Sequence, residues 1–122
     1  MKESIQSINA AIEKFSLQKR ALESCKKALS NFYLEEVKEG DSSLYGWELE
    51  EVILCFDKCS LTIKHEFWEF PFFDTQIGLY VKDDSGVMLR DLDPIGKYHL
   101  YTDMDGNDYD DSLVIEVYKS DM

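Results

Sequence analysis

From Glu3 to about Glu36, Ile5, Ile8, Ile12, Phe15, Leu22, Leu29 and Phe32 recur at steps of three and four residues, with Cys25 and the alanines near the same stripe. That period places apolar side chains along one face of a helix. Ser4 or Ser7 offers a capping oxygen at its start, and Gly40 stands where the pattern fades. Phe15-Ser16-Leu17 disturbs the stripe and turns Leu17 away from it, so one long helix and two short antiparallel ones both satisfy the pattern. Ile8, Phe15, Leu22 and Leu29 are spaced like a coiled-coil seam, but Lys19 and Lys26 occupy the alternate seam positions. Packing against a sheet is therefore favoured.

After the loop GDSSLYG at 40–46 the period changes to two. Trp47–Asp57 and Leu61–Trp68 read as strands joined by a turn at Asp57-Lys58-Cys59-Ser60. Phe67, Trp68, Phe70, Phe72 and Phe73 surround Pro71, which cannot donate to a ladder and so marks an edge, a bulge or a crossing. Gln76–Lys82 is a further strand, Asp83-Asp84-Ser85-Gly86 a turn, and Val87–Leu92 a short returning strand. Asp93-Pro94-Ile95-Gly96 leads into a hairpin spanning Lys97–Tyr118, where Tyr98, Leu100 and Thr102 alternate with His99, Tyr101 and Asp103, and Leu113, Ile115 and Val117 resume the alternation. The expected architecture is α+β, an N-terminal amphipathic helix, one long or two short, packed on an antiparallel β-meander of about five or six strands. One domain covers 1–122, with a helical segment at 1–38 and the sheet at 47–118. Ile53, Cys55, Ile63, Phe67, Leu79, Val81, Leu100, Leu113 and Ile115 are the expected interior.

The hairpin also carries the densest chemistry. Asp105-Gly106 and Gly106-Asn107 are strong turn dipeptides, because Gly reaches positive φ freely and Asn or Asp tolerates it. Asp103, Asp105, Asp108, Asp110 and Asp111 crowd that turn with no Lys or Arg among them, and Tyr101 and Tyr109 flank it. Their mutual repulsion costs stability unless a cation compensates, and a partner can supply one. These seven residues are the candidate partner-binding set. A calcium loop does not fit: with Gly106 at the sixth position, Tyr101 and Ser112 fall where an EF-hand needs Asp and Glu.

Composition narrows the partners. The chain has 122 residues with a net charge of −12, and 13% aromatic content argues for a folded domain. Residues 1–30 hold six basic and three acidic side chains, a net +3 that leaves −15 for the rest. Such a surface repels phosphate backbones and anionic lipid, which excludes nucleic acid and membrane as expected partners and favours a basic protein. No apolar run reaches the ~18 residues of a membrane span, and MKESIQSINA lacks a signal peptide's apolar core, so a cytoplasmic monomer is expected. Cys25, Cys55 and Cys59 are odd in number and read as reduced. Cys55, Cys59 and His65 lack C-x-x-C spacing and a fourth ligand, so neither metal nor cofactor is expected. His65 and His99 stand beside no nucleophile elbow, and the carboxylate pairs Asp91/Asp93 and Glu50/Glu51 beside no evident cleft. An enzyme is not expected.

With its short acidic α+β layout and the hairpin YHLYTDMDGNDYDDSLV at 98–114, the chain resembles the small immunity proteins of bacterial toxin systems, including contact-dependent inhibition. The resemblance lies in layout and carries no residue across. It implies a stoichiometric inhibitor that binds a cognate toxin domain, often a basic nuclease, and blocks its active site. The alternatives are an acidic secretion chaperone, which would use the Ile5–Phe32 stripe and dimerisation, or a small-ligand-binding or regulatory domain with a polar pocket.

Overall fold

A computed structural model of the chain describes residues 2–38, 46–63, 70–82 and 92–119. The apolar stripe forms α1 (Lys2–Lys14) and α2 (Leu17–Lys38). They part at Ser16, whose φ of 51° lies in the left-handed region where an L-residue cannot continue a helix. Its amide still bonds back to Glu13 at 3.0 Å, and its carbonyl accepts the Arg20 amide at 2.9 Å, so one residue ends α1 and starts α2. The break re-phases the stripe. Leu17, expected to point elsewhere, is fully buried and heads the row Leu17, Ala21, Cys25, Leu29, while Leu22 and Phe32 become its half-buried flanks.

Among the described residues four strands follow, against the five or six expected: β1 (Ile53–Thr62), β2 (Phe72–Lys82), β3 (Leu92–Asp103) and β4 (Asp108–Ile115), all antiparallel in the order β1-β2-β3-β4. The difference arises in the first half of the sheet. Trp47 makes only an isolated bridge and Leu49–Glu51 a 3-10 turn. The expected turn at Asp57-Lys58-Cys59-Ser60 is a β-bulge between Phe56 and Lys58 inside one continuous strand. The expected strand at Val87–Leu92 lies outside the described residues except for Leu92, which opens β3; His65, Phe67 and Trp68 also lie outside them.

Helix α2 covers one face of the sheet. Ala21, Cys25 and Leu29 meet Ile77, Leu79 and Val81 from β2 and Ile95, Tyr98 and Leu100 from β3, with Leu113 and Ile115 half-buried at the rim. The β1 register runs one residue from expectation: Leu54, opposite Leu79, packs on the core, whereas Ile53 is exposed and Cys55, opposite Gly78, faces away. Ile63, also expected inside, is 73% exposed just past the strand. A strand alternates faces with period two, so a one-residue slip exchanges its whole inner set for its outer set. The other face, hereafter the open face, presents Asp74, Gln76, Tyr80, His99 and Tyr101, all half-buried.

Candidate binding surface at the acidic hairpin

The turn between β3 and β4 is held by its own first aspartate. The Asp103 carboxylate accepts the amides of Asp105 and Asn107, both at 2.9 Å, while its backbone amide donates to the Asn107 carbonyl at 2.9 Å. These donors, Asn107 foremost, hold the Asp103 carboxyl below the usual carboxylate range. Gly106 supplies a φ of +90°, and the Phe15 ring lies so close that a Cβ there would meet it at 2.6 Å. The end of α1 therefore seats the acidic turn.

The strand register divides the remaining aspartates between faces. A bulge at Tyr109 pairs Thr102 with Asp108 and Tyr101 with Asp110. Asp108 turns toward α2, where it meets the Arg20 guanidinium at 2.6 Å and accepts the Thr102 hydroxyl at 3.0 Å. Arg20 also donates to the Phe15 carbonyl at 3.2 Å. The cation absent from the hairpin's sequence thus comes from within the chain, 88 residues upstream. Asp111 accepts the phenol of buried Tyr98 at 2.9 Å, and burial followed by that bond pushes the Tyr98 hydroxyl up. A cleft of about 420 Å³ between α2 and this hairpin is lined by Ser24, Lys27, Tyr98, Asp108, Asp110 and Asp111 among others.

On the open face the hairpin carries aromatics. Tyr109 meets Phe70 edge-on at 5.1 Å and Phe72 at 6.1 Å; Tyr101 lies 5.9 Å from Phe72 and stacks on His99 at 6.0 Å. The His99 ring is fixed by Asp74, Nδ1 to Oδ1 at 2.7 Å. Burial, then the charges of Asp110, Tyr101, Asp74 and Asp103, push the Tyr109 phenol up to about 12. Phe70 remains 42% exposed, and Asp105 and Asp110 of the hairpin are exposed as well.

Of the seven candidate residues, the structure therefore groups Tyr101 and Tyr109 on the open face, sets Asp110 opposite Tyr101 in the register and at the lining of the α2 cleft, leaves Asp105 at the tip, engages Asp103 in the turn, and sends Asp108 and Asp111 to the helix side. Phe70, Asp74 and His99 join the surface, with Phe72 buried beneath it; period-two alternation placed His99 with Tyr101, whereas the cross-strand partners depend on a register that no single strand states. Among the described residues no three His, Cys, Asp or Glu side chains converge on a metal-sized site, and no helix is long and apolar enough to cross a membrane. The β1 bulge sets Cys55 opposite Gly78 and Cys59 opposite Thr75, on different faces of the sheet. No protein-family model, no curated protein and no solved structure matches the chain.

Proposed function

We propose that the protein is an immunity-type inhibitor that binds and neutralises a basic protein domain, a bacterial toxin of the nuclease kind, through the open-face end of its β3–β4 hairpin. The observation that carries this reading is an aromatic centre, Phe70, Phe72, Tyr101 and Tyr109, set among the carboxylates of Asp74, Asp103 and Asp110. Buried aromatic anchors with a charged rim are what interfaces use for affinity, and one sign of charge on the rim steers a basic partner and rejects an acidic one. The turn is already ordered by Asp103 and Phe15, so a partner meets a preformed surface and little ordering cost remains. Of the helical stripe that a secretion chaperone would offer, Leu29 is buried on the sheet, while Ile8, Ile12, Phe15, Leu22 and Phe32 are half-buried.

The test is co-expression with the product of the adjacent open reading frame and measurement of the complex. A one-to-one complex is expected, with affinity falling as salt rises. Asp105→Lys with Asp110→Lys should weaken it by at least about tenfold at physiological salt while leaving the fold intact, because neither carboxylate bonds a buried group. Tyr109→Ala should act through faster dissociation. A complex untouched by all three substitutions would refute the assignment of this face.

A further inference from the structure

The sheet ends in two unlike edges. Along β4, Asp108, Asp110 and Asp111 put like charges on the outer strand, which guards it against pairing with a copy of itself. β1 carries one Asp and one Lys, adjacent at Asp57-Lys58, and among the described residues no strand pairs with its outer side. Ile53 and Phe56 are 38% and 37% exposed along it.

We propose that β1 is a homodimer surface, pairing antiparallel with β1 of a second copy across a two-fold axis between Asp57 and Lys58. The bulge makes the strand self-complementary. Before it, Leu54 and Phe56 face the helix side, opposite Leu79 and Ile77; after it, Cys59 and Leu61 do, opposite Thr75 and Phe73. Cys55, Asp57, Lys58 and Ser60 face the open side, Asp57 bonding Gln76 at 2.9 Å and Tyr80 at 2.8 Å there. Residues directly opposite across an antiparallel pair share a face. A two-fold between 57 and 58 sets Leu54 against Leu61, Phe56 against Cys59, Cys55 against Ser60 and Ile53 against Thr62 of the second copy, matching faces along the whole strand. It also sets each Asp57 against the other copy's Lys58. Sliding by one residue mismatches the faces of every pair except the residue on the axis, which meets its own copy, and sliding by two mismatches one pair and leaves the strand ends unpaired. A bulge ordinarily blunts an edge, but one mapped onto itself by the symmetry axis does not interrupt the register. The dimer leaves β4 and the acidic hairpin at the two far ends of a continuous sheet, so it is independent of the reading above and compatible with it.

Sedimentation equilibrium of the intact chain between about 5 and 500 μM tests this, since edge pairing with a few apolar contacts belongs in the micromolar range. A concentration-dependent dimer is expected, and Lys58→Glu, at an exposed position, should raise its dissociation constant at least about tenfold by facing each Asp57 with a like charge. The register is read by cross-linking. In a Cys59→Ser background, Ser60→Cys should form an intermolecular disulfide with Cys55 under oxidised glutathione, because opposite Cα atoms about 4.5–5.5 Å apart suit the bond. Thr62→Cys should not, being displaced along the strand. A monomer at every concentration overturns the proposal, as does a dimer indifferent to Lys58→Glu or cross-linked equally at residues 60 and 62.

Discussion

Asp108 stands in two opposing fields, and substitutions at Arg20 decide which one it reports. The ion pair joins side chains 29% and 37% exposed, so it contributes about 0.5–1 kcal/mol. The bond from Arg20 to the Phe15 carbonyl adds about 1 kcal/mol. Removing the guanidinium also leaves Asp108 in one cleft with Asp110 and Asp111, a few tenths of a kcal/mol from each across screened solvent. Arg20→Ala should therefore cost about 2 kcal/mol, which lowers Tm by roughly 5–10 °C for a chain of this size. Asp108→Asn keeps the oxygen that accepts from Thr102 but loses the charge. In the native background it should destabilise by about 1 kcal/mol; with Arg20→Ala already present it should stabilise by a few tenths, since only repulsion is then removed. Urea unfolding of the four proteins in the cycle measures both signs. An equal cost of Asp108→Asn in the two backgrounds would refute the pair's role, and a stabilising Asp108→Asn in the native protein would show that repulsion dominates even beside Arg20.

Gly96→Ala should cost about 2–3 kcal/mol, because its Cβ would meet the backbone of Val114 and Ile115 in β4, whereas Gly78→Ala should cost about 1 kcal/mol, its Cβ meeting the movable ends of Asp57 and Tyr80. Thermal unfolding that reverses this order would contradict the β3–β4 packing. Burial pushes the Cys25 thiol up to about 12, so near pH 8 an aromatic disulfide reagent should label Cys55 first and Cys25 only on unfolding. Native-state labelling of Cys25 at the rate of Cys55 would show that α2 does not cover the sheet as described.

The amphipathic stripe, the period-two runs and the Asp-Gly turn were legible because each is a local periodicity or a local backbone demand, and α1, α2 and β4 lie where those patterns put them, whereas β2 and β3 begin at Phe72 and Leu92, ahead of the expected Gln76 and Lys97. What escaped was phase. The left-handed Ser16 shifts the buried row onto Leu17, and a bulge at Asp57-Lys58 looks in sequence like a turn because both use polar residues between apolar runs. The site was visible as composition but not as geometry. Five aspartates in one hairpin read as a single patch, yet a one-residue bulge at Tyr109 sends them to different faces, and Arg20 is invisible as their counter-charge without the fold.

Every strand of the meander pairs with the one made just before it, so during synthesis the sheet can grow outward from β1 as each strand leaves the ribosome. The contacts that fix the helices' junction do not follow that order. Phe15 waits for Gly106 and Arg20 for Asp108, both of which follow β3 in the chain. An unfinished chain ending at Asp103 is therefore expected to hold its helices loosely, with Tyr98 and Leu100 uncovered beside the missing strand, to bind a hydrophobic dye and to be cut by protease near Ser16. A truncated chain as protease-resistant as the full one would contradict this. By this arrangement the joint between the helices reports whether the closing strand has arrived, and a product that lacks it exposes itself to degradation there.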